Sequence, residues 1–251
     1  MKIIILAAGR GSRLMPLTRN TPKPLIDLGS GYTLLERQLD SIEKSGVIDE
    51  VILVIGYLAE QIEAKVKRLH DSGLKIKTIY NPFFDVSNNL ISLWLSMTEM
   101  HSDFMITNGD NLFDPDIFKN IDADCKDGVY LTVFKKEHYD DDDMKVTLSG
   151  SQLVEVNKQI LPTDTDCESP GLVLVKGESS LRLFRKNLDE IIREVSSRDD
   201  YWLVLFNRMV ANGNLIETWQ IPTGMKWQEV DFHLDITKVI ELLDVSKLDL
   251  N

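Results

Sequence analysis

A glycine-rich segment near the start of the chain carries the residues best suited to chemistry. It follows an apolar run and contains Gly9 and Gly11, with the cations Arg13 and Lys23 close behind. Glycines adopt tight turn conformations and leave their backbone N–H groups accessible, so such a loop can surround phosphate oxygens with donors. Two fixed positive charges beside these donors suit a highly charged anion. The segment therefore predicts a binding site for a triphosphate.

Two other kinds of phosphate-binding loop do not fit this segment. A Walker A loop requires the pattern G-x-x-x-x-G-K-[ST], and the residues after Gly9 do not have that spacing. The dinucleotide fingerprint G-x-G-x-x-G/A requires a small residue where this chain has Leu14. A tight turn with a purely structural role is the simpler alternative. Ala7 and Ala8 before the glycines, together with the cations after them, make the pattern more specific than a turn.

Two carboxylates are candidates for binding Mg²⁺. Asp110 lies in a turn directly after a predicted strand, and Asp231 lies in the acidic segment Glu229-Val230-Asp231. Mg²⁺ typically takes one or two carboxylates and completes its coordination with substrate phosphates. The simpler interpretations are an Asx turn for Asp110 and a helix cap for Asp231. Beside a triphosphate loop, we favour metal ligands.

Strands that alternate with helices are predicted to position these groups. The apolar run over residues 3–6 has the length and branching of a buried strand. Thr33 and Glu36 form a capping box for a helix through Lys44, and Gly46 ends it. Further strands are predicted over 50–55, 74–80, 104–107, 129–134, 172–175 and 215–221, and further helices over 58–70, 88–100, 178–195, 200–210 and 234–243. This order predicts a parallel sheet covered on both faces, with ligands beyond the carboxyl ends of its strands.

Composition narrows the classes of function. The 251 residues carry a formal net charge of -12, which argues against a nucleic-acid-binding protein because no basic face balances it. An apolar content of 43% is enough for a sizeable core. Cys125 and Cys167 lack metal-ligand spacing, which suggests a reducing compartment. No signal peptide is visible and no apolar run approaches the roughly 18 residues of a membrane span, so we expect a cytoplasmic protein without a membrane partner.

The chain resembles the nucleotidyltransferases that activate sugar phosphates and phosphocholine, and most of all their CTP:phosphocholine cytidylyltransferase branch. The motifs that carry the resemblance are residues 6–14, 22–25, 56–57, 87–89, 92–94, 108–111 and 229–231. The resemblance implies an α/β fold, a Rossmann-like three-layer sandwich with a mixed, mostly parallel central sheet. The pair Asn88-Asn89 favours the cytidylyltransferase branch over hexose-phosphate relatives. Those relatives carry a Glu-Lys-Pro motif on the sugar side, where this chain has Val156-Asn157-Lys158-Gln159.

The resemblance also implies roles for individual residues. The catalytic residues would be Arg13 and Lys23, which bind phosphates, and Asp110 and Asp231, which share Mg²⁺. The nucleotide would contact Leu6, Ala7, Ala8, Gly9, Gly11, Ser12, Arg13, Lys23, Gly56, Ser87, Asn88 and Asp110. Within this set, Ser87 and Asn88 occupy the positions at which the family binds the base of the nucleotide.

The predicted reaction is attack by a phosphorylated acceptor on the α-phosphorus of CTP, with release of pyrophosphate. The acceptor phosphate is already an anion, so the reaction needs positioning and relief of charge repulsion rather than a general base. Aromatic faces attract ammonium groups, which suggests a cationic amine such as phosphocholine, phosphoethanolamine or 2-aminoethylphosphonate. The candidates for acceptor binding are Lys158, Tyr201, Trp202, Trp227 and Glu229. For the two tryptophans, a place in the core is the alternative.

We predict one domain over residues 1–251, with residues 139–170 as a lobe on the acceptor side. A hairpin is predicted in this lobe around Ser149-Gly150-Ser151, and the acidic run over residues 140–143 is interpreted as a solvated loop. Two other functions stay open: a hexose-1-phosphate nucleotidyltransferase that uses UTP or dTTP, and a non-catalytic nucleotide-sensing subunit. The intact set of four catalytic candidates disfavours the sensing subunit. A homodimer is left open.

Overall fold

A computed structural model describes residues 1–29, 31–69 and 73–237 of the chain. The strands within these residues are β1 (Lys2–Ala7), β2 (Glu50–Ile55), β3 (Lys75–Tyr80), β4 (Phe104–Asn108), β5 (Asn111–Phe113), β6 (Gly128–Val133), β7 (Lys145–Ser149), β8 (Gln152–Asn157), β9 (Cys167–Glu168), β10 (Leu172–Lys176), β11 (Glu217–Gln220) and β12 (Trp227–Glu229). The α-helices are α1 (Leu34–Ser45), α2 (Ala59–Val66), α3 (Asn89–Leu95), α4 (Pro115–Asp124), α5 (Glu178–Ile191) and α6 (Val204–Ala211). The helix predicted over 234–243 lies mostly outside the described residues.

One large sheet carries most of the strands, in the order β3-β2-β1-β4-β10-β6-β11-β8-β7-β9. Strands β1 to β4, β6 and β11 run in the same direction, and β10 lies antiparallel between β4 and β6. The register places Leu6 beside Asn108, so the chain leaves β1 and β4 at the same edge. A separate ribbon pairs β12 with β5 and aligns Glu229 with Asn111. The predicted mixed, mostly parallel sheet is confirmed.

Helices cover both faces of this sheet because each buries one apolar stripe against it. On one face, α3, α5 and α6 contribute core residues such as Leu93 and Phe206. On the other face, α1, α2 and α4 contribute residues such as Leu39 and Ile117. Successive side chains of a strand point to opposite faces, so β1 contributes to both cores. The three-layer α/β sandwich that the resemblance implies is confirmed.

Local capping explains where two of the helices begin. The Thr33 side chain accepts from the Glu36 backbone N–H, the Glu36 carboxylate accepts from the Thr33 N–H, and Gly46 ends α1 with a φ of 69°, as predicted. Helix α3 begins one residue later than predicted, because Asn88 is its cap rather than its first residue. The Ser87 hydroxyl instead donates to a backbone carbonyl one turn earlier.

Other elements also differ from the prediction. Helix α2 ends at Val66, short of the predicted residue 70, and α3 gives way to a 3₁₀ turn, Met97–Glu99. The sequence prediction missed α4, although Asp114 caps it and Pro115 occupies its first turn, which is a recognisable start signal. It also missed the ribbon β5–β12. Within the described ranges, every helix is too short or too polar to cross a bilayer.

Candidate active site

A cleft of about 1150 Å³ opens beyond the carboxyl ends of β1 and β4. The ribbon β5–β12, the segment between β6 and β7, and the residues before α6 form its other walls. All residues predicted to contact the nucleotide line this cleft, with the exception of Gly56. The predicted acceptor residues also line it, and they are Lys158, Tyr201, Trp202, Trp227 and Glu229. The fold therefore joins both predicted sets in one cavity.

The glycine loop turns sharply, and this turn brings Lys23 against it. Gly11 has a left-handed φ of 62° and precedes a 3₁₀ turn, Ser12–Leu14. A Cβ atom on Gly11 would lie 3.0 Å from the Cβ of Lys23, so a larger residue would push the lysine away. The Thr18 hydroxyl donates to the Gly11 carbonyl at 2.8 Å and fixes the turn. The loop thus presents backbone groups to the cleft and holds a cation beside them.

Lys23 lies between two carboxylates. Its Nζ atom donates to Oδ2 of Asp110 at 2.7 Å and to Oδ1 of Asp231 at 2.5 Å. Burial lowers the pKa of Lys23, but the two carboxylates outweigh this effect and raise it. Burial also raises the pKa of Asp231, and here Lys23 and Arg13 outweigh it and lower the pKa. Lys23 and Asp231 are therefore held in their charged forms.

Arg13 forms a second set of ion pairs at the mouth of the cleft. Its Nη1 atom donates to Oδ2 of Asp231 at 2.5 Å and lies 2.9 Å from Oδ2 of Asp142. The guanidinium also lies 5.5 Å from the ring centroid of Phe232. Burial lowers the pKa of Arg13, but the carboxylates of Asp231 and Asp142 outweigh this effect and raise the pKa. Lys158 donates to the same Asp142 at 2.8 Å, so one carboxylate joins two cations.

Three carboxylates could hold a metal ion. Oxygen atoms of Asp110, Glu229 and Asp231 all lie within 4.8 Å of one another. The Oδ1 atom of Asp110 is buried and has no hydrogen-bond partner, which calls for an explanation such as an ion. A set of carboxylate oxygens beside space for substrate phosphates suits Mg²⁺. The residues present therefore fit Mg²⁺ and extend the predicted pair of ligands by Glu229.

Glu229, predicted for the acceptor, reaches this cluster through the ribbon. Pairing of β12 with β5 places it beside Asn111, and the Val230 N–H donates to the Asp110 carbonyl at 2.9 Å. Burial, and then Asp110 and Asp231, raise the pKa of Glu229 to about 8. Side chains two positions apart on a strand share a face, so the spacing of Glu229 and Asp231 was the available sequence signal. An acceptor role for Glu229 stays a prediction.

The residues predicted to surround the base separate into two groups. Ser87 and Asn88 line the cleft. The Asn88 amide is held at both ends, since Nδ2 donates to the Asp199 carbonyl at 3.1 Å and Oδ1 accepts from the next backbone N–H at 2.8 Å. Gly56 lies behind Phe84, whose Cβ would be only 2.5 Å from a Cβ added to the glycine. Gly56 therefore makes room for Phe84, and it is Phe84 that lines the cleft.

The aromatic residues predicted for the acceptor differ in how much of each ring a ligand could reach. Trp202 is 1% exposed, and its Nε1 donates to Oδ1 of Asn108 at 2.9 Å. Trp202 therefore supports the end of β4. Trp227 is half-buried, with one face stacked on a phenylalanine. Tyr201 is 43% exposed, and Lys158 Nζ lies 5.4 Å from its ring centroid. Tyr201 and Trp227 thus offer more ring surface to a ligand than Trp202 does.

An ionic cluster in the wall of the cleft was missed by the sequence prediction. Lys136 Nζ lies 2.6 Å from Asp143 and 2.8 Å from Glu168. Burial raises the pKa of Glu168 to about 7, although Lys136 opposes the shift. Glu168 belongs to β9, a strand of two residues. So short a strand has no periodic pattern, and the sequence therefore carried no signal for this cluster.

The α/β fold, with its cleft beyond the carboxyl ends of the strands, is shared with solved structures of the nucleotidyltransferase fold. The profile of the nucleotidyl transferase family matches residues 2–142, which is more than half of the chain. The chain belongs to the nucleotidyl transferase family. The predicted resemblance is thereby confirmed.

Individual relatives share this family. Choline-phosphate cytidylyltransferase of Streptococcus pneumoniae is 32% identical over 137 residues, which are 55% of this chain and 55% of that protein. CMP-5'-(3-aminopropyl)phosphonate synthase of Streptomyces rubellomurinus is 32% identical over 123 residues, 49% of this chain and 19% of that protein. The chain thus spans about half the length of the first relative and about a fifth of the second. The structure of the inositol-1-phosphate CTP transferase from T. maritima shares the fold, with a TM-score of 0.80, 23% identity, and coverage of 97% of this chain and 94% of that one.

Proposed function

We propose that the protein transfers a cytidylyl group from CTP to a small phosphorylated acceptor, with Mg²⁺ as cofactor and with release of pyrophosphate. One observation carries the proposal: Asp110, Glu229 and Asp231 cluster within 4.8 Å in a cleft where Lys23 and Arg13 lie beside them. Nucleotidyl transfer needs this combination, because a metal ion and cations must both neutralise a polyphosphate. A relative named as a choline-phosphate cytidylyltransferase supports CTP as the donor.

The charged side chains suggest how the cleft would promote transfer. Asp110, Glu229 and Asp231 would hold Mg²⁺, which when bound supplies a Lewis acid for phosphate oxygens. Lys23 and Arg13 place positive charge where the departing pyrophosphate gains negative charge. An oxygen of the acceptor phosphate forms the new bond to the α-phosphorus, and the bond from that phosphorus to the pyrophosphate oxygen breaks. The nucleophile is already an anion, so no side chain has to remove a proton.

Ser87 supports a preference for cytosine. Its hydroxyl donates to the Phe83 carbonyl at 2.7 Å, so the oxygen is left to act as an acceptor toward the cleft. The N4 amino group of cytosine is a donor and can satisfy this oxygen. Uracil has a carbonyl at the same position, which would oppose one acceptor with another and leave both unpaired. Asn88 keeps the segment rigid, because its side-chain amide is bound at both ends.

The acceptor in this proposal carries a cationic amine, and residues 139–170 form a lobe on its side of the protein. Tyr201 and Trp227 line the cleft together with the carboxylates Glu168 and Glu229. An aromatic face attracts an ammonium group by about 0.5–2 kcal/mol, and the Glu168 carboxylate adds to this attraction when it is ionised. Lys158 would contact the acceptor phosphate. A relative named as a CMP-5'-(3-aminopropyl)phosphonate synthase supports an acceptor of this class.

A matrix of donors and acceptors tests the proposal. The protein would be incubated with Mg²⁺, with CTP, UTP or dTTP, and with phosphocholine, phosphoethanolamine, 2-aminoethylphosphonate or glucose 1-phosphate, and pyrophosphate would be measured. We expect the fastest release from CTP with an amine. Faster release from UTP or dTTP with glucose 1-phosphate would instead assign a hexose-1-phosphate nucleotidyltransferase. Nucleotide binding without release from any pair would indicate a sensing subunit.

A further inference from the structure

Asp142 lies where substrate phosphates are expected to bind. Its Oδ1 atom accepts from Lys158 at 2.8 Å and from Nη2 of Arg13 at 3.1 Å, and its Oδ2 atom lies 2.9 Å from Nη1 of Arg13. Arg13 is the cation assigned above to the departing pyrophosphate, and Lys158 is the one assigned to the acceptor phosphate. A single carboxylate therefore occupies the anion position between the two cations.

The metal cluster does not account for Asp142. Among the described residues, the carboxylates close enough to share an ion are Asp110, Glu229 and Asp231. Lys23 pairs with two of these carboxylates in the free protein. A divalent cation bound to them would neutralise their charge in place of the lysine. It would leave the carboxylate of Asp142 on Arg13. A polyphosphate that approaches the metal-loaded site still has one protein anion to displace.

The loop that carries Asp142 is held in place from beneath. Lys145 is 1% exposed, and its Nζ atom donates to the backbone carbonyls of residues 140 and 141 at 2.9 and 3.1 Å. Lys136 holds Asp143 at 2.6 Å. The acidic run over residues 140–143, predicted to be a solvated loop, is therefore anchored by the buried Lys145 and the half-buried Lys136. These anchors use backbone carbonyls and Asp143, so the Asp142 side chain is free to bridge Arg13 and Lys158.

We propose that Asp142 is an internal competitor for the phosphate sites, which pairs with Arg13 and Lys158 in the free protein and is displaced when a polyphosphate binds. The proposal deepens the proposed function and rests on it for the roles of the two cations. Its consequence is selectivity. An anion of low charge gains too little binding free energy to replace the carboxylate. A polyphosphate gains more, because it can contact both cations and the glycine loop together. Asp142 thereby favours polyphosphates over single phosphates at a moderate cost in affinity.

Two matched variants test this role. Asp142→Asn removes the competing charge. Asp141→Asn removes the same charge one residue away and keeps the backbone carbonyl that Lys145 uses. Titration calorimetry would measure the binding of inorganic tripolyphosphate to the full chain. We expect Asp142→Asn to bind tripolyphosphate about three- to tenfold more tightly than the wild type, as fits the loss of partly exposed ion pairs. Asp141→Asn should stay within about twofold of the wild type, and the difference should shrink as salt screens the charges.

Hydrogen exchange gives a readout that does not depend on affinity. The Asp143 N–H donates to the Asp140 carbonyl, and the Asp140 N–H donates to the Asp143 carboxylate. Tripolyphosphate should raise the exchange of residues 140–143 in the wild type, and in Asp142→Asn exchange should already be raised without ligand. Equal tripolyphosphate affinity in the two variants would overturn the proposal. If Asp142→Asn tightens binding while no nucleotide yields pyrophosphate, the proposed function fails and the competitor role stands.

Discussion

Replacing Lys23 with methionine should separate metal binding from turnover. In the free protein, Nζ of Lys23 lies 2.7 Å from Asp110 and 2.5 Å from Asp231. The lysine is therefore a resident cation on two of the three clustered carboxylates, and a divalent cation must compete with it. Methionine replaces the apolar stem of the lysine side chain and removes the charged amino group. The substitution would free the carboxylates for a metal ion, and it would also remove a charge that the proposed mechanism assigns to the departing pyrophosphate.

The distances set the size of these effects. Two unit charges 4 Å apart interact by about 4 kcal/mol at an effective dielectric constant near 20. Water in the open cleft reduces this value, so we expect the nucleotide-free variant to bind Mg²⁺ about tenfold more tightly, which corresponds to roughly 1.4 kcal/mol. Turnover should fall by about 10²–10³-fold, as is usual when one preorganised charge is lost.

The same substitution should lower stability in the absence of metal. It leaves Asp110 without its cation, while Asp231 keeps only its ion pair with Arg13. The two aspartate side chains are 21% and 17% exposed, so the loss should be on the order of 2 kcal/mol, below the range for fully buried pairs. Saturating Mg²⁺ should restore most of it, because a ligand that binds only the folded state stabilises that state.

Three measurements on one pair of variants check this reasoning. Metal titration without nucleotide, thermal unfolding with and without Mg²⁺, and pyrophosphate release would be compared for Lys23→Met and Lys44→Met. Lys44 is a suitable control because its partner, Asp40, is 2.7 Å away on the exposed surface of α1. If both variants bind Mg²⁺ equally well, the carboxylate cluster is not the metal site. Wild-type turnover in Lys23→Met would show that the lysine does not serve the phosphates.

Three further substitutions test the metal, the acceptor and the buried acid. Asp110→Asn should lower turnover by about 10²–10³-fold with little change in melting temperature, because the amide still offers Lys23 an acceptor; normal turnover at limiting Mg²⁺ would contradict the metal assignment. Trp227→Ala should raise the KM for an amine acceptor by about tenfold and leave the KM for CTP unchanged, consistent with the strength of a cation–π contact; an unchanged KM for the amine would argue against an ammonium pocket. Burial raises the pKa of Glu168 to about 7, so the folded state holds this proton more tightly than the unfolded state, and its contribution to stability falls as pH rises from about 4.5 to 7. Glu168→Gln should flatten that slope in denaturant unfolding at several pH values, and parallel profiles for the two proteins would refute the assignment.

Local patterns explain why much of the fold was predictable. The capping box at Thr33 and the glycine after Ser45 depend only on nearby residues, and both formed as predicted. The strand Glu50–Ile55 is fully apolar after its first residue and also has the predicted bounds. Gly11 and Lys23 were predicted to lie at one site because they are only twelve positions apart in the sequence. Such local patterns predict the folded structure well when tertiary contacts favour the same local conformation.

The ionic partners of the site could not be predicted, because they depend on the topology of the sheet. Arg13 and Asp142 are 129 positions apart, and Lys23 and Asp231 are 208 positions apart. No local pattern reports which strand ends meet, or that β10 would lie antiparallel between β4 and β6. The place of Glu229 among the carboxylates was not predicted, although its spacing from Asp231 was a signal, because it also depends on the pairing of β12 with β5.

Arg13, Lys23 and Lys158 each pair with carboxylates of the cleft. Lys23 pairs with Asp110 and Asp231, and Asp142 joins Arg13 to Lys158. Substrates would therefore exchange one set of ion pairs for another, and affinity would be the difference between the two. A metal ion bound without polyphosphate would take carboxylate partners away from the cations. A polyphosphate bound without metal would be repelled by the clustered carboxylates. Each should tighten the binding of the other by the same factor, because thermodynamic coupling is reciprocal. Under the proposed function, the resident ion pairs would thus favour the metal–nucleotide complex over either component alone.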